Sequence, residues 1–488
     1  MPLSRRAFLA AQGAAASAVL VPGRLLAALE AATPPTPKLD DWGQVRAQFR
    51  LSPEYLHFAG FFIASHPAPV RDAIESWRKA IDDNPFLVVD GGLFRLSPEY
   101  LHFAGFFIAS HPTPVRDAIE SWRKAIDDNP FLVVDGGLFE DEAKNVQSRV
   151  RETAAAYLGG KPEEVCLTQN TTTSLALVYH GLPLRPGQEV LATEHDHTSH
   201  HQSIEYAALR SGASFRKIPL FADPAKATVD EIVGRVRAGV RPATRVVGVT
   251  WVHSQSGIRL PIRAISGALA EINRGRDPQD RILLVVDGVH GLGCVDETVA
   301  EMGADFFCAG THKWIFGPRG TGLIWARPDA WARLRPLIPT FSEEESYQAW
   351  IESRPAKGPT SARRMTPGGF QAYEHQWATV AAYRMHQSIG RARVAARVAE
   401  LNGRIKDGLA RIRGVRVHTP RAAALSAGIC CFEVDGKKPE DVVRALLAKK
   451  GIASTSPYAN VYARLSAGIF NTEAEVDQAL GALRTSIA

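Results

Sequence analysis

The residues best suited to chemistry fall in one stretch, Ile282 to Ala326. An apolar run, Ile282 to Val286, stops on Asp287, and a second, Asp305 to Ala309, leads to Thr311-His312-Lys313. Two short apolar runs joined by a polar, helix-like segment predict a βαβ unit of a parallel sheet. Ligands of such sheets sit beyond the carboxyl ends of the strands, which places Asp287 and Lys313 on one rim. An acid and a lysine on one rim suit a pyridine-ring aldehyde cofactor. The amine can form a Schiff base with the aldehyde, and the carboxylate can keep the ring nitrogen protonated, so that the ring becomes an electron sink. Either residue alone reads as a helix cap or a solvated lysine. Their setting in DGVHGLG and THKW…GPRGTG is what points to chemistry.

Other residue types fit around that pair. Thr171, Thr172 and Thr173 follow Asn170 at a strand-to-helix turn, where free backbone N–H groups and hydroxyls suit a phosphate; an ordinary helix cap is the plain alternative. His195, His197, His200 and His201 invite a metal reading, because His197 and His201 lie four apart. No HExxH accompanies them and no third ligand follows from spacing, so no metal is expected, and His195, His200 and His201 read as surface histidines. His290, three residues after Asp287, points to the same rim, and His312 precedes the lysine. Arg464, in YARLSAGIFNTEAEVD, offers a planar guanidinium for a carboxylate, and its strand-like flanks argue against a surface ion pair.

On these motifs the chain resembles the pyridoxal 5'-phosphate (PLP) enzymes of aminotransferase class V, over about residues 50 to 485. It is most similar to the isopenicillin-N-epimerase-like branch, which includes an exported pyoverdine-tailoring enzyme. The resemblance implies a fold-type I homodimer in which Lys313 holds PLP and Asp287 faces the pyridine nitrogen. It further implies that Thr171 and Thr172 bind the phosphate, that His197 stacks on the ring rather than binding a metal, and that His290 bonds the phenolic oxygen. His312 would face the phosphate, and Arg464 would take the substrate carboxylate. Thr366, in RMTPGGFQAYEHQWA, either reaches across a dimer to the partner's phosphate or is simply a turn residue before Pro-Gly-Gly. The implied activity is aminotransferase-like, at the α-amino group of an amino acid or peptide-like metabolite. Epimerisation, or oxidative decarboxylation of a siderophore side chain, is the alternative. Cysteine desulfuration is disfavoured, because GIASTSPYANVYARL lacks the cysteine that activity needs. A binding protein of PLP fold, or an inactive duplication product, is the reading without catalysis.

The elements that must position these residues follow from patterning. From Val165 strands and helices alternate, predicting an α/β fold with a mainly parallel sheet, seven-stranded in the family, covered by helices on both faces. Residues 139–335 would form this large domain, and residues 336–488 an interface loop and a small α+β domain. Residues 330 to 370 are loop-rich, Glu374 to Leu409 forms one long helix, and VRVHTP and GICCFEV form strands. Residues 33–138 contain an anomaly. Phe49–Leu93 and Phe94–Leu138 are the same 45-residue segment twice, differing only at Ala68 and Thr113. Two copies make no solenoid. The second copy runs directly into the following helix, so it is expected in the native slot, with the first as a surplus excursion.

The chain has 488 residues, a net charge of +6 and five cysteines. The first 32 residues carry +2 of that charge, leaving a modest +4 without basic runs and no case for nucleic acid. The odd cysteine count without CxxC spacing gives no disulfide framework, and Cys308, Cys430 and Cys431, in apolar strand-like runs, read as small buried hydrophobes. Ser4-Arg5-Arg6-Ala7-Phe8-Leu9 before an Ala-rich apolar stretch reads as a twin-arginine signal over residues 1–32. That implies passage through the twin-arginine translocase, a periplasmic location and no membrane anchor in the mature form.

Overall fold

The computed structural model describes residues 66–83, 94, 100–455 and 461–487, together with positions 44 and 47. The signal-peptide reading and most of the first copy lie outside the described residues. The apolar runs form β1 (Val165–Thr168), β2 (Glu189–Thr193), β3 (Ser214–Ile218), β4 (Thr244–Thr250), β5 (Leu283–Asp287), β6 (Phe306–Gly310) and β7 (Gly322–Ala326). They make one seven-stranded sheet, in the order β1-β7-β6-β5-β4-β2-β3. Only β7 runs against the others, pairing antiparallel with β1 and β6. Continuous apolar strands need cover on both faces, and alternate residues supply it. Leu284, Val286 and Phe307 join one core cluster, while Leu283, Val285 and Phe306 join another. Each such side chain contributes about 1.5–3 kcal/mol on full burial.

The flanking helices that matter here are α1 (Ala68–Asp83), α2 (Thr113–Asp128), α3 (Val146–Leu158), α4 (Thr171–Gly181), α5 (Thr198–Ser211), α6 (Tyr373–Ile389), α7 (Arg391–Ala410) and α8 (Glu473–Ile487). A second, antiparallel sheet of β8 (Val415–Val417), β9 (Cys430–Val434), β10 (Ser454–Thr455) and β11 (Ala463–Leu465) is ordered β10-β11-β9-β8, and α7 and α8 pack with it. The described residues contain no helix long and apolar enough to cross a membrane.

Three expectations are corrected. The link from β5 to β6 is not a helix: it is a series of turns with one short 3-10 segment, Val299–Glu301. A Cβ on Gly288 would meet Phe307 at 1.9 Å and one on Gly291 would meet Trp251 at 1.9 Å, so the chain crosses the rim closer than a helix with side chains allows. The expected single long helix is two, α6 and α7, broken at Gly390, whose φ is +93°. The span read as loop, 330 to 370, holds two short helices, Glu344–Ile351 and Ala362–Met365.

The second copy of the repeat is built into the molecule. Leu101–His102 pairs in parallel with Gly451–Ile452, Phe103 lies in the core of the small domain, and α2 packs on α6. Of the first copy, the segment bearing α1 is tied to the second copy and to α6 by two ion pairs. His66 there meets Asp127 at 3.2 Å, and Arg78 meets Glu374 at 2.9 Å.

Candidate active site

The carboxyl ends of the parallel strands form the rim. Thr250, Asp287 and Cys308 stand in one row across β4, β5 and β6. Asp287 is buried, and its Oδ1 accepts the N–H of Val289 at 3.1 Å. Burial pushes its carboxyl up from 3.8 to about 6, against the pull of that N–H and of Lys313. Lys313 follows β6, and its Nζ lies 3.0 Å from His290 Nε2. Burial draws its ammonium down from 10.5 to about 8, with Asp287 opposing and Arg464 adding to the fall. His290 is held well below its usual value, first by burial and then by Lys313 and Arg464, so it is neutral and accepts from Nζ. Its Nδ1 is buried with no hydrogen-bond partner among the described residues.

His197 is the N-cap of α5, and its Nδ1 accepts the N–H of Ser199 at 3.2 Å. Burial, then Lys313, lowers it to about 4, leaving a neutral ring. The loop carrying it is anchored by Asp196, whose carboxylate accepts the N–H of Thr193 and that of Thr250, each at 2.8 Å. Two buried histidines flank this carboxylate, His200 Nδ1 and His253 Nε2, each at 3.9 Å. The surface reading of three histidines is therefore corrected. His200 is fully buried and meets the Tyr179 hydroxyl at 2.6 Å, His195 stacks on Phe221 at 4.0 Å, and His201 Nε2 meets the Thr193 carbonyl at 2.7 Å.

Thr171 opens α4, and its Oγ1 accepts the N–H of Gly310 at 2.8 Å, which leaves its own proton to donate. Asn170 caps that helix through Thr173 N at 2.9 Å, and Thr172 is exposed at its first turn. His312 sits beside Gly310 and is lowered to about 3 by burial and then by Lys313. Arg464, on β11, is only 4% exposed. Its Nη1 donates to the Ser254 carbonyl at 2.6 Å, and its guanidinium lies 4.7 Å over the Phe106 ring.

Thr366 stands apart from this group. It is 1% exposed, and its hydroxyl donates to the Ala362 carbonyl at 2.9 Å while accepting from Leu167 N and Arg151 at 3.3 Å. Within its own chain this hydroxyl is fully engaged. Sequence reasoning missed Phe106, which also lies 5.8 Å from the His290 ring, and Asp196. Asp196 had a signal in its position between two histidines; Phe106 had none beyond the repeated segment.

The donor set fits a pyridine aldehyde phosphate: a buried carboxylate at a strand end, a buried lysine with a lowered pKa, a helix start with a free hydroxyl proton, and an unsatisfied histidine nitrogen. Among the described residues no group of His, Cys, Asp or Glu is arranged to hold a metal ion.

Comparison with known proteins agrees with this chemistry. The chain is 29% identical over 353 residues to isopenicillin N epimerase of Streptomyces clavuligerus, covering 69% of this chain and 83% of that protein. It is 25% identical over 387 residues to human selenocysteine lyase, covering 71% and 83%. In fold it is similar to a C-DES variant with glycine covalently linked to its PLP cofactor, at 19% identity and TM-score 0.68 over 79% of this chain and 97% of the other. A cysteine desulfurase from Thermococcus onnurineus NA1 superposes with TM-score 0.65 at 20% identity, over 80% and 95%. The aminotransferase class-V family profile matches residues 127–479, well over half of the chain. The protein is therefore a fold-type I member of the aminotransferase class-V family, with PLP as its cofactor.

Proposed function

We propose that this chain removes the proton at Cα of an α-amino acid or peptide-like metabolite, with transamination as the outcome. The observation that carries the reading is Lys313 Nζ at 3.0 Å from His290 Nε2, with Asp287 and Arg464 near enough to act on its charge. Lys313 would hold the cofactor's aldehyde carbon, Asp287 its ring nitrogen, and Thr171, Thr172 and His312 its phosphate; His197 and His290 would orient the ring. When bound, PLP supplies the electron sink for charge developing at Cα. A lysine at about 8 is neutral far more often near neutral pH than one at the ordinary 10.5, as a general base requires. His290, kept neutral, accepts the Nζ–H bond and so aims the lysine without competing for its proton. Arg464, desolvated over Phe106, offers a charged fork to a substrate carboxylate.

The cysteines favour a fate at carbon over one at sulfur. All five are buried; Cys166, Cys294, Cys430 and Cys431 are each pushed by burial to about 12, and Cys308 is pushed well up. A persulfide-forming thiol needs exposure and a lowered pKa. Epimerisation is the second reading, favoured by the relative that is 29% identical. A homodimer and a periplasmic location, the latter resting on the twin-arginine motif, belong to the same proposal.

Purified enzyme incubated with single amino acids in deuterated water separates the outcomes. Transamination gives the keto acid together with conversion of the cofactor to its amine form. Epimerisation gives deuterium at Cα with no keto acid. Loss of neither activity in Lys313→Ala, or cofactor attached at another lysine after borohydride reduction and peptide mapping, would sink the assignment.

A further inference from the structure

At the amino ends of the strands, on the rim opposite the site just described, lies a cavity of about 540 Å³. Strands of this length separate the two rims by roughly 13–17 Å. Arg185, Arg245, Arg333 and Arg335 line the cavity, and Leu283 and Leu334 contribute apolar wall. Other arginines on this rim have acidic partners: Arg216 holds Glu189 at 2.8 Å, while Arg281 and Arg327 share Asp305 at 2.7 and 3.0 Å. Among the described residues, none of the four cavity arginines makes an ion pair.

The hydrogen bonds that Arg245 and Arg333 do make leave donors to spare. Arg245 donates to the Arg281 carbonyl and Arg333 to the Pro278 carbonyl at 3.5 Å. Arg333 Nε is buried without a hydrogen-bond partner. Arg276 nearby is different, since its guanidinium is spent on the carbonyls of Arg241, Pro242, Thr244 and Asp280. Asp280 is the acid that Arg245 feels, and it is outweighed: burial first, then Arg333, Arg185 and Arg276, lower the Arg245 pKa. Like charges gathered around a cavity and only partly offset, here by Asp280, raise the free energy of the empty site, and a multivalent anion relieves it. Guanidinium forks match phosphate oxygens in pairs.

We propose that this cavity is a binding site for a small multivalent anion of the phosphate or pyrophosphate class, separate from the cofactor pocket. The apolar wall would accept a compact organic body attached to that anion. The helix start at Thr171 takes no part, so a PLP-loaded protein retains the site.

Calorimetric titration of the PLP-loaded full chain with inorganic pyrophosphate, at constant physiological ionic strength, tests this. Saturable binding at one site per chain is expected. Arg245→Gln and Arg333→Gln should each weaken it about tenfold, the loss of one charge-assisted pair. Arg185→Gln combined with Arg335→Gln, at exposed positions, should weaken it comparably without affecting folding. Arg237→Gln, on the surface and paired with Glu271, should leave it unchanged. The proposal is overturned by absence of saturable binding, by an unaltered affinity in the Arg185 and Arg335 double variant, or by an equal loss in Arg237→Gln, which would mean attraction by net charge alone.

Discussion

The two copies of the 45-residue segment place one sequence in two environments. Both copies form a helix of 16 residues with matching bounds, Ala68–Asp83 and Thr113–Asp128, so the helix itself is specified locally. Packing is not. Val115 is fully buried whereas its twin Val70 is 43% exposed. Arg123 is buried between Glu120 and Asp127, while its twin Arg78 reaches out to Glu374. The second copy is joined directly to the helix-bearing segment that covers the sheet and so takes the interior place; α1 then has only the outside of that layer to lie against. An amphipathic pattern selects a helix and a face to bury, but chain connectivity selects what that face meets.

Matched substitutions at twin positions give the sharpest contrast. Val115→Asp would leave a buried, unpaired carboxylate and should cost about 3–5 kcal/mol. Val70→Asp should change stability by no more than about 0.5 kcal/mol. Urea denaturation of both variants checks this, and equal losses would mean that the two copies share the burial.

Function should divide the copies next. Phe106→Ala removes the ring beneath Arg464 and beside His290. An aromatic–guanidinium contact in a desolvated pocket is worth up to about 2 kcal/mol, so kcat/KM should fall about tenfold or more, mainly through KM. Phe61→Ala, the same change in the first copy, should leave kinetics at the wild-type value. A loss in both would place the first copy in the site as well.

What the sequence alone could disclose follows the same division between local and contextual. The strands bearing Asp287 and Lys313 were legible because a sheet covered on both faces requires unbroken apolar runs, and those runs stop on the residues that face the rim. Arg464 was legible through its strand-like flanks. The turns between β5 and β6 were not, since the glycines that forbid a helix there do so by meeting Trp251 and Phe307. His200 looked like a surface residue because its partners, Tyr179 and Thr250, lie 21 and 50 residues away. The surroundings of Thr366 were hidden for the same reason: Leu167 and Arg151, which use its hydroxyl, are more than 190 residues distant.

The contact between the copies should depend on pH. The hydrogen bond to Asp127 raises the His66 pKa above 6.5, despite the partial burial that opposes it. A raised pKa on folding means stability that is fully present below 6.5 and lost as pH rises through the higher folded value. On the other side, burial of Asp127 is outweighed by its bonds from His66, so its carboxyl is lowered. Its share is present above 3.8 and lost as pH falls below that. Docking of α1 should therefore be firmest in mildly acidic solution and loosen toward pH 8.5. Limited proteolysis across that range should show faster cleavage within 66–83 at high pH, by only a few-fold because the His66 side chain is 43% exposed. His66→Asn should flatten the profile; an unchanged slope in that variant would remove this pair as the cause.

The smallest expected effect is the most discriminating. Deleting residues 49–93 and deleting residues 94–138 yield chains that differ at a single position, Ala68 in one being Thr113 in the other. In either product the remaining copy is joined on one side to Gln48 and on the other to Phe139, so connectivity places it in the interior slot whichever copy it was. Both chains should then fold, bind PLP and match each other in turnover. Thr113 is half-buried at the start of its helix, where its hydroxyl accepts from Arg116 at 2.7 Å. The chain that keeps Ala68 instead forgoes that bond and should be less stable by at most about 1 kcal/mol. Thermal unfolding of the two PLP-loaded deletions, measured side by side, checks the comparison. If both lose PLP binding, α1 and its contacts at Asp127 and Glu374 are required for the fold, and the first copy is a structural part of the molecule. If the two differ by far more than one hydrogen bond, the position at the head of the helix, rather than the order of the copies in the chain, decides which one enters the core.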